Sequence, residues 1–466
     1  MIKRRIVGMV FVLLFSAITG IAYAQTVSND TIVQGNNFAD KQAWLQAFAQ
    51  NNGNYIIEVK TDENIDPINL VYSGKNNITI TLKNIGTTNR TIRLSSAGHI
   101  FTVGSGVTLV LERNITLQGI NRNRDLWGRG AALVLINEGG TFKMNDGSII
   151  TGNDGGGVSV SGTFDMNGGS ITNNNATGVS GDGIFNMSGG TISGNTGGGV
   201  DMSGGTFTMS GGTISRNKAS RSSYNEIRGP GGVYTGGSFI MNNGTISDND
   251  GDGLWARRRF TMNGGTITAN NGWGVKVVAE AYSGAGSFTM NDGTISRNIG
   301  GGVYVEYGYE ALGGKASTFN MMGGTISGNT SKNNGGGVYV DGTFAMSGGI
   351  ISGNTAGASG GGVYVNGKRT FTMSGGTISS NTALQNGGGV YVGSGTFTKT
   401  GGTITGYTTD TSNGNVVKDN TGKIQNYRGH AVYAGESSKT IKIKENTAGT
   451  GDNLSYTDTI SGAWDN

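Results

Sequence analysis

One phrase of eleven residues recurs through most of this chain and limits what the chain can fold into. Its best copies run from Phe319 to Asn329 and from Phe371 to Asn381. Neighbouring copies begin 21 to 32 residues apart, and spacings of 21 or 22 recur. Such a period predicts stacked coils that share one core, rather than separate domains. The leading phenylalanines are Phe142, Phe164, Phe185, Phe207, Phe239, Phe260, Phe288, Phe319, Phe344, Phe371 and Phe397.

Each copy holds three short strand signals. Phe344 alternates with Met346 in the first signal, Ile378 lies between hydroxyl residues in the second, and Val338–Val340 alternates valine with tyrosine in the third. Alternation with period two places successive side chains on opposite faces of a strand. We therefore predict an all-β fold, a single-stranded right-handed parallel β-helix (β-solenoid), with 21–22 residues per coil and the Phe, Met, Ile and Val side chains inside.

The turns of the repeat support this prediction. Gly-Gly precedes the second strand and permits positive φ. Asparagine tolerates left-handed geometry, and stacked asparagine amides can hydrogen-bond from coil to coil, so the asparagines after the second strand predict a structural ladder rather than ligands. They are Asn174, Asn195, Asn217, Asn249, Asn270, Asn298, Asn329, Asn354 and Asn381.

The chain begins with the pattern of a Sec-type signal peptide, predicted over residues 1–24. Lys3–Arg5 supply the positive start, an apolar run follows, and Ala22-Tyr23-Ala24 fits a cleavage site. We expect a secreted or outer-cell-surface protein, with the periplasm as an alternative, and no transmembrane segment in the mature chain. Cleavage would reduce 34 basic residues to 31 against 30 acidic ones, a balance that argues against nucleic-acid binding.

The two ends differ from the repeat. Residues 25–54 predict an N-terminal cap with a short helix, because Trp44, Leu45 and Phe48 would share one helical face. Residues 55–141 predict irregular early coils, residues 142–407 the regular repeats, and residues 408–466 the last coils with a C-terminal cap. A cap is expected because the ends of a solenoid expose core and unpaired strand edges.

The residues Ile326–Asn329, followed by Gly335–Tyr339, resemble secreted right-handed parallel β-helix repeat proteins of bacteria, which have the pectin-lyase-like fold. They are also loosely similar to repeats of chlamydial polymorphic outer-membrane proteins and of autotransporter passengers. The resemblance covers about residues 55–460. It implies surface exposure and often adhesion or glycan contact, and some members of the group are polysaccharide lyases or hydrolases.

The residues that carry chemistry are sparse. Only two histidines are present, His99 and His430, which argues against a Ser/His/Asp triad or a histidine metal cluster. No carboxylate pair is placed together by the repeat, so no acid/base pair is predicted. The carboxylates considered are Asp165, Asp201, Asp292, Glu306 and Asp341.

One acidic turn resembles the start of a calcium loop. Asp248, Asp250 and Asp252 have the spacing of the first ligands, but the twelfth position holds Arg259 where a glutamate should close the site. We predict no cofactor, with calcium at these three aspartates as the weaker alternative to an acidic turn.

The outward position of the third strand varies along the helix, and two insertions, residues 279–287 and 306–318, follow that strand. This variation predicts a ligand platform for a glycan or a protein. The alternative is an exposed β ladder with a solvated charged edge. The candidate ligand-binding residues are Trp255, Arg257, Lys276, Tyr304, Glu306, Tyr307, Tyr309 and Tyr339.

The leading interpretation is a non-enzymatic, adhesin-like protein that binds a glycan or a surface protein of a host or neighbouring cell. The alternative is a polysaccharide lyase or glycoside hydrolase. An ice-binding β-solenoid is a third interpretation, because Thr or Ser flanks the inward isoleucine in most copies, as Thr325 and Ser327 flank Ile326. The fold does not decide among the three, since β-helices serve all of them.

Overall fold

The computed structural model describes residues 30–124, 130–219, 229–280, 284–308, 315–407, 410–435 and 442–444. Over these residues the chain winds as a parallel β-helix, which confirms the predicted all-β class. In the regular coils each strand pairs in parallel with its counterparts in the coils before and after it. The predicted signal peptide and Tyr309 lie outside the described residues.

Each coil presents three faces, named here in chain order. The first face, which carries the Phe-x-Met signal, comprises Asn54–Glu58, Ile78–Lys83, Val107–Leu111, Thr141–Met144, Thr163–Met166, Ile184–Met187, Thr206–Met209, Ser238–Met241, Arg259–Met262, Ser287–Met290, Thr318–Met321 and Thr343–Met346, with Thr31–Ile32 at its start. The second face comprises Glu63–Ile65, Arg90–Leu94, Ile115–Gln118, Ile149–Thr151, Ser170–Thr172, Thr191–Ser193, Thr213–Ser215, Thr245–Ser247, Thr266–Thr268, Thr294–Ser296, Thr325–Ser327 and Ile350–Ser352.

The third face comprises Ile68–Leu70, Phe101–Val103, Val134–Ile136, Val158–Val160, Val179–Gly181, Val200–Met202, Val233–Thr235, Leu254–Ala256, Trp273–Val277, Gly301–Val305, Val338–Val340, Val363–Val365, Val390–Val392 and Val432–Ala434. Lys442–Lys444 pairs antiparallel with the last of these strands. Short strands after the second face are Thr330–Ser331, Thr355–Ala356, Thr382–Ala383 and Val416–Val417, and a small hairpin joins Ala279–Glu280 to Gly284–Ala285.

The first and second faces merge near the end of the repeat. Thr370–Ser379 and Thr396–Ile404 are continuous strands that run through the turn between the two faces. They link both faces into one sheet of 27 strands, whereas the third face forms a separate sheet of 15. The earlier coils therefore have three separate strands each, whereas in these two coils the first two strands are continuous.

The core is a column of identical side chains. The rings from Phe142 to Phe397 stack with centroids 4.5–5.3 Å apart and planes within 16° of parallel. The repeat phenylalanines, methionines and isoleucines are at most 1% exposed, as the alternation predicts. Burying one such side chain stabilises the fold by about 1.5–3 kcal/mol, so stability accumulates coil by coil.

The turn between the first and second faces, which we call the glycine corner, packs against the same turn of the neighbouring coil. Gly324 has φ +77°, and a Cβ there would lie 2.6 Å from the Cε of Met290 in the preceding coil. The same fit recurs one coil later, between Gly349 and Met321. The methionine therefore packs in space that any side chain other than glycine would fill, and the same contact recurs between neighbouring coils.

The turn between the second and third faces, the asparagine corner, holds all nine predicted asparagines in one buried row. The row also includes Asn123, Asn153 and Asn415. Asn298 is typical: its Oδ1 accepts from the backbone N and Nδ2 of Asn270, both at 3.0 Å, and its Nδ2 donates to Asn329 Oδ1 at 2.9 Å.

The nine asparagines do not themselves adopt the left-handed geometry that this residue type tolerates. The left-handed residue is the one before the asparagine, as at Ala269, Arg297 and Ser380 with φ of 53–57°. That residue makes the bend, and the asparagine after it is free to point into the corner.

A helix, α1 (Phe38–Phe48), caps the first coil, as predicted. The Asn37 side chain accepts a hydrogen bond from the Asp40 backbone N at 2.9 Å. The predicted face is wrong for Phe48, which is 57% exposed, because the helix is rotated so that Phe38, Leu45 and, just beyond its end, Ala49 are buried. Within the described residues, no helix has the length and apolar character needed to cross a bilayer.

Candidate functional site

The outward positions of the third face form one continuous row. Strand register places Trp255 beside Lys276, Lys276 beside Tyr304, and Tyr304 beside Tyr339. Tyr364, Tyr391 and Tyr433 extend the row toward the C terminus, with ring centroids 4.9–5.5 Å apart from Tyr304 onward. Trp255 and Tyr304 are two strand spacings apart, roughly 10 Å.

Lys276 lies between two rings. Its Nζ is 4.9 Å from the centroid of Trp255 and 5.4 Å from that of Tyr304, and 3.9 Å from Glu306 Oε1. Burial is the main cause that raises the pKa of Tyr304 to about 12, and the nearby Asp341 and Glu306 add to it. At neutral pH the row therefore presents neutral phenols and a cation over aromatic faces.

Glu306 and Tyr307 lie at the corner after the third face, which we call the insertion corner. The Arg369 guanidinium stacks over the Tyr307 ring at 3.7 Å, and its Nε is 2.8 Å from Asp341 Oδ1. Sequence reasoning missed Arg369, because it lies two coils after Tyr307. Arg369 comes just before a first-face strand, which places it at the insertion corner of its own coil, and this position in the repeat could have identified it.

Glu306 and Asp341 lie in adjacent coils at the insertion corner. Each follows a third-face strand, and the preceding residues, Val305 and Val340, are direct partners. Glu306 faces Lys276 and also accepts from the Ala279 backbone N at 3.1 Å, while Asp341 pairs with Arg369. Both carboxylates are therefore engaged by neighbouring cations.

Arg257 is directed toward the preceding coils. Its guanidinium hydrogen-bonds the Tyr234 hydroxyl and lies 5.6 Å from the centroid of that ring. Burial raises the pKa of Asp201, and the charge of Arg257 partly offsets this rise. Arg257 thus belongs to the row as a neighbour of Tyr234, rather than to the Glu306–Tyr307 group.

The three aspartates considered for calcium are not gathered into a cluster. No group of three or more His, Cys, Asp or Glu residues suited to a metal exists among the residues that the structure describes. Asp252 instead joins two tryptophans, because its Oδ2 accepts from Trp255 Nε1 and its Oδ1 accepts from the Trp273 backbone N at 2.6 Å. Burial raises the pKa of this carboxyl.

Trp273 is a second residue that sequence reasoning missed. Its ring centroid lies 5.4 Å from Tyr304 and 6.4 Å from Tyr339, on the side of the row opposite the insertion corner. The third-face strand starts early in two coils, at Trp273 and at Gly301, and these two residues are direct partners. A Cβ on Gly301 would lie 2.3 Å from the Trp273 ring, so the missing side chain makes room for the indole.

The hydroxyl residues of the second face do not form two open rows. Where a threonine precedes the inward isoleucine, that threonine is half-buried. The residue after it is more buried in several coils, with Ser215 5% and Thr268 8% exposed, and the Thr268 and Ser296 hydroxyls are 3.0 Å apart. Thr172 and Ser193 form a second, longer hydroxyl contact of 3.5 Å in the same row.

Comparison of the chain with models of known families, with curated proteins and with solved structures finds no match. The geometry of the third face is therefore the basis for assigning a function.

Proposed function

We propose that this chain is a secreted or cell-surface, adhesin-like protein that binds a glycan, without cleaving it, at the third face between the coils of Trp255 and Tyr339. One observation carries the proposal: Lys276 is held between the rings of Trp255 and Tyr304, with Glu306 beside it. A surface protein of a host or neighbouring cell is the alternative ligand.

The arrangement suits a sugar chain for two reasons. Aromatic faces bury the C–H side of a sugar ring and keep their polar edges in water. Trp255 and Tyr304 are separated by two strand spacings, a distance compatible with adjacent rings of a chain. The Lys276–Glu306 pair between them supplies a donor and acceptors for hydroxyl groups.

The ion pairs of the same residues support the proposal of binding rather than catalysis. Glu306 pairs with Lys276 and Asp341 pairs with Arg369, so both carboxylates already have partners within the protein. Variation also supports a binding role, since the outward row changes from Trp255 to Lys276 to Tyr304 while the inward positions repeat. A uniform row stabilises the fold, whereas a varied row can recognise a partner.

A glycan array probed with the purified chain tests this proposal. We expect binding to at least one glycan, no reducing-end or unsaturated product after prolonged incubation, and a loss of about tenfold for Trp255→Ala, equivalent to 1.4 kcal/mol. Tyr391→Ala, in the same row but four coils beyond Lys276, is the matched control and should bind normally. Cleavage products, or unchanged affinity in Trp255→Ala with an intact circular dichroism spectrum, would contradict the proposal.

A further inference from the structure

A groove of about 530 Å³ runs beside the third-face row, on the side facing the asparagine corner. Trp273, Tyr304 and Tyr339 line it on one side, and Ile299, Asn333 and Asn334 also face it. Its volume lies within the range of roughly 300–1,000 Å³ that small-ligand pockets occupy. None of the groove residues except the two tyrosines belongs to the predicted platform.

We propose that this groove binds an uncharged pyranose unit of the glycan, so that one sugar chain crosses the row and ends against Trp273. The inference rests on the proposed function and adds to it the class of ligand and a second contact surface. Tyr304 and Tyr339 belong both to the row and to the groove, and they make the two surfaces continuous.

The aromatic side of the groove is fixed in place. The Trp273 backbone N donates to Asp252, and the Trp273 ring lies against Gly301, where a side chain would collide with it. Tyr304 and Tyr339 stack at 4.9 Å and meet Trp273 nearly edge-on, with interplanar angles of 62° and 70°. The three rings form an angled apolar corner, and such pre-ordered surfaces lose little entropy when they bind.

The opposite side is polar and also ordered. The buried Ser331 hydroxyl donates to Asn334 O at 3.0 Å and accepts from the Asn333 backbone N at 3.2 Å. Asn334 Oδ1 accepts from the Ser359 backbone N at 2.9 Å, in the next coil. These bonds hold the turn in one shape and present its amides to the groove, where amides can donate to and accept from sugar hydroxyls.

The charges argue for a neutral ligand. Of the described residues that line the groove, Lys332 alone carries a charge at neutral pH, and its side chain is exposed at the rim. Just outside the groove, Lys276 pairs with Glu306 and Arg369 pairs with Asp341. Apart from this solvated lysine, no positive charge among the described residues lines the groove to offset the desolvation of a carboxylate or sulfate group.

The test measures affinity of the full chain for neutral and uronic-acid hexasaccharides of equal length, taken from the glycans of the array. Neutral chains should bind at least tenfold more tightly than acidic ones. Trp273→Ala should lower the affinity at least tenfold, and Asn333→Ala, an exposed position that spares the fold, several-fold. Lys332→Ala and the distant Tyr391→Ala should bind as the unchanged chain does.

The outcomes separate this inference from the proposed function. Absence of binding to any glycan overturns both. Binding that Trp255→Ala lowers, but that neither Trp273→Ala nor Asn333→Ala changes, overturns the groove and leaves the platform. Preference for acidic chains, together with loss of affinity in Lys332→Ala, overturns the neutral ligand. Circular dichroism of each variant excludes loss of fold as the cause.

Discussion

The asparagine corner and the third face are built by the same stacking, yet they differ in what they present. From Asn174 to Asn415 the corner repeats one residue, with side-chain hydrogen bonds of 2.8–3.1 Å between coils. Along the third face the outward residue changes from Tyr234 to Trp255 to Lys276 to Tyr304. The asparagine row is uniform because each residue hydrogen-bonds its own copy, whereas the outward residues of the third face have no such shared bond to keep them identical.

The largest test of this contrast compares an inner and an outer stack. Phe288 is fully buried, 4.6 Å from both Phe260 and Phe319, so Phe288→Ala should lower the free energy of unfolding by about 3–5 kcal/mol. Tyr364 stacks at 5.0 Å in the outer row but is only half-buried, so Tyr364→Ala should cost about 1 kcal/mol or less. Urea denaturation measures both. Equal losses would show that the outer row is as structural as the core.

The next effect compares two asparagines of opposite exposure. Asn298→Ala removes a side chain with four hydrogen bonds and leaves buried groups unpaired, so we expect a loss of about 2–4 kcal/mol. Asn263→Ala breaks an exposed amide row with bonds of 2.9 and 2.7 Å, and should cost less than about 1 kcal/mol. Similar urea midpoints for the two variants would contradict the structural role of burial at the corner.

A third, pH-dependent effect concerns Asp252. Burial raises its folded-state pKa above the ordinary value of 3.8, so the folded protein is favoured when this carboxyl is protonated and loses stability as the pH rises through the raised pKa. Asp252→Asn lacks this loss. The unfolding free energy of the variant relative to the unchanged chain should therefore increase as the pH rises above 3.8. Urea titrations from acid to neutral pH measure it, and parallel curves would refute the assignment.

The smallest predicted effect is a change in the free energy of unfolding that has opposite signs for two Ala→Gly substitutions. Ala269 has φ +55°, so Ala269→Gly should stabilise the chain by about 0.5–1 kcal/mol by removing strain. Ala345 lies in an ordinary first-face strand, and Ala345→Gly should destabilise by a similar amount because glycine loses more entropy on folding. Thermal and urea unfolding of the pair measure the difference. Two changes of the same sign would mean that the bend before Asn270 is unstrained.

The sequence predicted those parts of the molecule in which each residue contacts the equivalent residue of the neighbouring coil. The inward Phe, Met and Ile positions and the asparagine row follow from period and alternation alone. Sequence patterns misplaced the bend, because the left-handed position before each asparagine accepts residues as different as Ala269 and Arg297. Tertiary contact also overrode helical spacing at Phe48, where the rotation of α1 buries Ala49 instead.

The candidate site was predicted only in part, because its remaining contacts join residues that share no repeat position. Asp252 bridges to Trp255 in its own coil and to Trp273 in the next, and its acidic spacing suggested calcium instead. Arg369 reaches Tyr307 across two coils through an insertion of irregular length. Trp273 depends on an absent side chain at Gly301, which no pattern of side chains reveals.

The methionine that covers the glycine of the next coil has a consequence for the ancestry of the molecule. Met290 packs against Gly324 in the same way as Met321 packs against Gly349. Neighbouring regular coils therefore have equivalent interfaces. A gene duplication that adds one whole coil then creates no new interface, and a deletion of one coil leaves matching ends. Length can change in steps of about 4.8 Å, one strand spacing, while each added coil brings a fresh outward position on which selection can act.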